Sequence, residues 1–159
     1  MIVLGIDPAI AARKPLACVA LVENSAGVTL LGHAPTKRFS GSLWRRLNYA
    51  RSVLRSELEL YSPSLVVIED SRGVGGRGHA LQTLVALVQD WCVEWDVPCV
   101  TVNPQTVKAA YGKTKQQVAK NVHLLLCGAD QLPRGHDWTD ACAIALCGAA
   151  QYRREQGDG

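Results

Sequence analysis

Apolar runs near the start of the chain are short and end abruptly. Ile2 to Ile6 carries no charged or polar side chain and stops at Asp7-Pro8, the pattern of a strand covered on both faces. Leu16 to Glu23 and Gly27 to His33 read as a second and a third strand, with Asn24-Ser25-Ala26-Gly27 supplying a hairpin turn between them. The period then changes. Leu43, Leu47, Ala50, Val53, Leu54 and Leu58 recur at helical spacing, so a helix capped by Ser40 or Ser42 is expected to run to about Tyr61. Leu65 to Ile68 is a fourth buried strand, closed by Glu69-Asp70. After a glycine-rich loop, Leu81, Leu84, Val85, Val88, Trp91, Cys92 and Trp95 mark a helix reaching about Asp96. Pro98 to Val102 is a fifth strand. Helices are predicted from Asn103-Pro104 through Ala110, from Gln116 to Cys127, and from about Trp138 to Arg153.

Three strands joined by hairpins, followed by alternating helices and strands, predict an α/β fold. Its mixed five-stranded sheet has three antiparallel strands, then parallel ones, and is flanked by helices, with right-handed crossovers in the parallel half. The 159 residues fit a single domain, expected over 1–154, with 155–159 a disordered tail. A composition of 48% apolar and 19% charged residues excludes a mainly disordered chain. No apolar stretch approaches the roughly 20 residues that span a bilayer, and Met1 to Leu4 meets Asp7 too soon for a secretory signal. A cytoplasmic protein without a membrane segment is expected. The six cysteines form no C-x-x-C pair and sit mostly among Val, Leu and Ala, so they read as small buried hydrophobes in a reducing compartment.

Net charge is only +3, but it is an average over an uneven chain. Between Asn24 and Ser56 there are six basic residues (Lys37, Arg38, Arg45, Arg46, Arg51, Arg55) and no acid. Between Val97 and Ala129 there are four lysines (Lys108, Lys113, Lys115, Lys120) and again no acid. Each segment alone could be a solvated face. Together they point to a surface that binds phosphates, which would include Lys113 and Lys120, with Arg72 and Arg77 of the glycine-rich loop beside it.

The acids are placed differently. Asp7 and Glu69 each end an apolar strand, where a carboxylate is costly unless paired or bound to a metal. Asp137 and Asp140 open the last helix three residues apart and can face the same way. Structural roles exist for each: a strand-terminating turn for Asp7, pairing with Arg72 or Arg77 for Glu69, and a cap and capping box for Asp137 and Asp140. As a set they form an oxygen-ligand cage suited to hard divalent cations. Two such ions about 4 Å apart can stabilise the attacking and leaving oxygens of a phosphodiester displacement. The chemistry suggests a nuclease.

Gly5-Ile6-Asp7-Pro8, Val67-Ile68-Glu69, Val107-Lys108, Lys115-Gln116-Gln117-Val118 and Asp137-Trp138-Thr139-Asp140-Ala141 occur in that order across nearly the whole chain. In these pieces the sequence resembles the RuvC-type Holliday junction resolvases of the ribonuclease H-like superfamily. The resemblance implies a ribonuclease H-like fold in which Asp7, Glu69, Asp137 and Asp140 bind two Mg²⁺ ions, with Mn²⁺ able to substitute. It further implies that Lys115 lies near the scissile phosphate and that Lys108 contacts DNA. A homodimer would nick two strands of a four-way junction symmetrically and leave 5′-phosphates, with a branch-migration helicase as a further partner. The stripe from Leu81 to Trp95 is either the dimer helix or a helix packed on the sheet.

The sequence departs from the family in several places. Asp7-Pro8-Ala9 replaces the usual Asp-Pro-Gly, a form similar to phage-type members, and Arg13-Lys14 stands where Thr-Gly is usual. Arg72 stands where many members carry an aromatic, and the segment between Lys108 and Lys115 is short. His136 adjoins Asp137, and some relatives use a histidine near this position as a ligand. The expected activity is junction resolution. A less selective nuclease for flaps and other branches, or a junction-binding module that does not cut, are the alternatives.

Overall fold

The computed structural model describes residues 1–9, 16–34, 41–70, 78–127 and 137–157, with the backbone alone at 78 and 137. In chain order, β1 (Ile2–Asp7), β2 (Ala17–Asn24) and β3 (Gly27–His33) are followed by α1 (Leu43–Tyr61) and β4 (Leu65–Glu69). Then come α2 (Gly78–Glu94), β5 (Cys99–Val102), α3 (Pro104–Tyr111), α4 (Lys115–Leu125), β6 (Leu126–Cys127) and α5 (Asp137–Gln156).

The strands form one sheet in the order β5-β4-β1-β2-β3-β6. β1 pairs antiparallel with β2, and β2 with β3, whereas β1–β4 and β4–β5 are parallel. β1 occupies the middle because its apolar side chains can be covered on both faces. Alternation along the strands assigns the two faces. Val3, Val19, Leu21, Leu65, Val67, Val100 and Val102 join a core with α3, α4 and α5. Leu4, Ile6, Cys18, Ala20, Val66 and Ile68 join a second core under α1 and α2.

Two features differ from the sequence expectation. Among the described residues the sheet has six strands, because the chain leaves the helical path after Leu125 and pairs Leu126 and Cys127 with Val28 and Thr29 of β3. The run Leu124-Leu125-Leu126 fits either period. Pairing to the open edge of β3 buries Leu126 while Leu124 and Leu125 face solvent. At the other end, α5 continues to Gln156, where Gln151 Nε2 donates to Glu155 Oε1 at 3.0 Å, so residues 155 and 156 belong to the helix.

The α2 stripe also has its answer. Leu84, Val85, Val88, Trp91 and Cys92 are buried against the sheet and α1. They are covered within one chain, so a second copy would have to meet α2 through its other side. Four cysteines (Cys18, Cys92, Cys142, Cys147) are buried thiols as expected, Cys99 is half-buried and Cys127 is exposed. No helix among the described residues is long and apolar enough to cross a membrane.

Glu57 strains the α1 face. Its Oε2 is buried without a hydrogen-bond partner among the described residues, and burial pushes its carboxyl pKa up from 4.5. A carboxyl that holds its proton more tightly in the native state is most favourable at low pH, and its contribution is lost as pH rises through the folded pKa. Glu57→Gln is therefore expected to raise the Tm by roughly 2 °C at pH 8, a small effect because the group keeps contact with water. The gain should vanish near pH 4, as followed by thermal melts across that range.

Candidate active site

Asp7 and Glu69 end two adjacent parallel strands in matched register, since Ile6 lies opposite Ile68. Alternation directs both carboxylates to one face. Gly5 meets α5, and Val67 lies in the α5-side core, so residues two further along each strand share that side. Asp7 is only 4% exposed, which is unusual for a carboxylate, while Glu69 is half-buried.

α5 brings the third carboxylate. Its second and third turns cross β1 at Gly5, where an added Cβ would collide with the Ala141 carbonyl and lie 2.6 Å from the Ala145 Cβ. Gly148 meets Val67 in the same way, with an added Cβ 2.6 Å from Cγ2. Small residues at these crossings let the helix backbone lie close to the sheet. Asp140, one residue before Ala141, is thereby held at the strand ends. Its neighbours are anchors: Thr139 is fully buried, and the buried Trp138 ring contacts His123 of α4 with centroids 5.3 Å apart.

Lys115 arrives from a braced turn. Thr114 caps α4 by accepting from Gln117 N at 3.3 Å, and Gln117 Oε1 accepts from Lys113 N at 2.9 Å and from Thr114 N at 3.2 Å. This capping box, together with buried Val118, explains the Lys115-Gln116-Gln117-Val118 segment physically. The result places Lys115 Nζ 3.7 Å from Asp140 Oδ2. Asn121 Nδ2 donates to Tyr111 O at 2.8 Å and ties α4 to α3, whose Lys108 is exposed. Lys113 and Lys120 are exposed as well.

Asp7, Glu69, Asp140 and Lys115 thus gather at the carboxyl edge of the parallel strands, on the α5 face, where ligands sit in open α/β sheets. Among the described residues no three His, Cys, Asp or Glu side chains close into a metal-binding group. The Asp137 side chain, the fourth of the expected carboxylates, lies outside the described residues, as do His136, Arg72 and Arg77. The donors present are all hard carboxylate oxygens, one of them nearly buried, and such a set fits divalent Mg²⁺ or Mn²⁺. Nothing in the α5 pattern alone reveals which acids it would meet, because Gly5 and Ala141 lie far apart in sequence.

Acidic strand ends under a helix, on a sheet of antiparallel and then parallel strands, define a ribonuclease H-like nuclease domain. Solved structures share this architecture. The chain superimposes on Thermus thermophilus RuvC in complex with a Holliday junction substrate with a TM-score of 0.77 and 25% identity, over 99% of this chain and 97% of that one. The yeast mitochondrial Holliday junction resolvase shares the fold with a TM-score of 0.64 and 14% identity, over 98% of this chain and 81% of that one. No family model matches the sequence. The crossover junction endodeoxyribonuclease RuvC of Rickettsia bellii is 30% identical over 156 residues, covering 91% of this chain and 94% of that protein. That of Caldicellulosiruptor saccharolyticus is 31% identical over 163 residues, covering 92% and 91%. The chain belongs to the RuvC family of crossover junction endodeoxyribonucleases.

Proposed function

We propose that this protein resolves Holliday junctions as a homodimer, cutting two strands symmetrically, with Asp7, Glu69, Asp137 and Asp140 holding a pair of Mg²⁺ ions. The observation that carries the reading is the matched ends of β1 and β4 at Asp7 and Glu69 beneath the helix that carries Asp140, with Lys115 against Asp140. When bound, such ions supply an activated water and charge stabilisation at the attacking and leaving oxygens. The protein's part is positional. The ends of β1 and β4 present Asp7 and Glu69 from paired backbone, and the close α5–β1 contact supports a place for Asp140 toward the same edge. Lys115 is held within reach of a phosphate at these carboxylates, where its ammonium can offset the charge that builds on the phosphoryl oxygens. Lys108, Lys113 and Lys120 hold flanking phosphates without reading sequence. Paired nicks need two such sites, hence two copies of the chain. Arg72 and Arg77 contact the DNA beside the site, and His136 is a further ligand candidate. A branch-migration helicase is a suitable partner, and the cytoplasm a suitable compartment.

A labelled mobile four-way junction, a flap and a plain duplex, each with and without Mg²⁺, test this. Paired, ligatable nicks confined to the junction and dependent on the ion are expected. Equal cutting of all three would favour a general branch nuclease, and binding without cutting in either Mg²⁺ or Mn²⁺ would overturn the enzymatic reading.

Lys115→Ala is expected to slow single-turnover junction cleavage by about 10- to 100-fold, the scale of one lost electrostatic contact in the transition state. Junction affinity should stay within about three-fold in gel-shift titrations, because one exposed cation among several contributes little to binding.

A further inference from the structure

Trp44 is 67% exposed, although a large aromatic normally gains from burial. Its place in the fold follows from backbone contacts. Ala34 N donates to Cys18 O at 2.9 Å, and Cys18 lies opposite Ile6, so β3 leaves the sheet level with the end of β1. At the opposite edge Ser64 N donates to Ile2 O at 2.9 Å, just after α1 has ended. α1 therefore runs from the edge that carries Asp7 and Glu69 to the far one. Its first turn precedes Leu47, the first residue of the helix buried in the core. Trp44 stands at the end of the sheet that carries Asp7 and Glu69, on the opposite, α1 face.

Its surroundings are cationic. Trp44, Asn48, Arg51 and Arg55 follow one line along the helix, and all four are exposed, with Arg55 at the far end paired to Glu59 Oε1 at 3.0 Å. Arg45, next to Trp44, is exposed and has no carboxylate partner among the described residues. Arg46 Nη1 donates to Gly41 O at 2.6 Å, and the Ser42 hydroxyl accepts from Arg45 N at 3.4 Å, so the turn bearing the indole is anchored. Arg51 lies 5.9 Å from the Trp91 ring, which turns the line toward α2. No acid occurs between Asn24 and Ser56. A rigid, solvent-facing indole among guanidinium groups complements a polyanion that also offers flat apolar faces, namely a nucleic acid with unstacked bases.

We propose that Trp44 is a stacking platform for a base exposed at the branch point, with Arg45 on the adjoining phosphate. The proposal rests on the junction reading above and deepens it by naming a residue that distinguishes branched from continuous DNA. Continuous duplex offers no unstacked base and gains nothing from the indole.

Binding is read with the Asp7→Asn protein, so that the DNA is not cut. Trp91 and Trp138 are buried and Trp95 is half-buried, so Trp44 should dominate the acrylamide-quenchable emission. A four-way junction is expected to shield that emission, and a duplex of equal length is not. Adding Trp44→Ala should weaken junction binding about ten-fold and leave duplex binding unchanged, with Trp44→Phe restoring most of the loss. Equal weakening on both DNAs, no weakening on either, or loss of a dimer in sedimentation would each overturn the proposal. None of these outcomes bears on Mg²⁺-dependent cleavage by the unsubstituted protein, which tests the junction reading separately.

Discussion

Asp7→Asn is expected to cut the rate of junction cleavage by at least about a thousand-fold while junction affinity stays within about three-fold. A thousand-fold corresponds to about 4 kcal/mol of activation free energy, a reasonable loss when a buried carboxylate in the proposed ligand set becomes neutral. Shape is retained, because Asn replaces Asp without change of volume at the 4%-exposed end of β1. The folded chain should tolerate the change, since it removes one of several negative charges gathered at this edge. A second readout is independent of activity. Mg²⁺ should raise the Tm of the unsubstituted protein, by linkage, and should raise that of Asp7→Asn much less. Cleavage above a tenth of the original rate, or an unchanged Mg²⁺-dependent shift, would remove Asp7 from the proposed ligand set.

Gly5→Ala should damage stability and activity together, although Gly5 touches no substrate. The new methyl would clash with the Ala141 carbonyl oxygen and press on the Ala145 Cβ. Backbone cannot rotate aside as a long side chain could, so α5 must lift from β1. Overpacking of this kind costs about 1–3 kcal/mol, and for a chain of this length the Tm should fall by roughly 3–10 °C. Because α5 carries Asp140, cleavage measured well below the melt should fall more than ten-fold, with DNA binding nearly intact. A stable Gly5→Ala protein with full activity would mean that the close crossing does not position Asp140.

Much of this was readable before any folding was considered. Apolar runs that end at Asp7 and Glu69 mark buried strands with acids at their tips, because only a strand end can expose a carboxylate without breaking the run. Asn103-Pro104 announces a helix start by local hydrogen bonding, and α3 starts at Pro104 as expected, while α4 starts at Lys115, one residue before the expected Gln116. The family resemblance rests on the same short segments, and the relatives at 30% and 31% identity bear it out.

Other features have no local signature. The leucines from Leu124 to Leu126 suit helix or strand, and the free edge of β3 decided for β6. The α2 stripe states only that one face must be covered, and the sheet of the same chain covers it. Trp44 counts as one more apolar helix position until the path of α1 sets it in solvent at the end of the sheet that carries Asp7 and Glu69. The sequence by itself determined the elements, their capping and the chemical types available, because these depend on neighbours a few residues apart. Tertiary structure alone decided which acids share one end of the sheet, since parallel pairing sets the ends of β1 and β4 side by side and the glycine crossing lays the helix that carries Asp140 on β1. Those contacts join residues 62 or more positions apart in sequence, where only backbone pairing and the packing of one helix on one glycine hold them together.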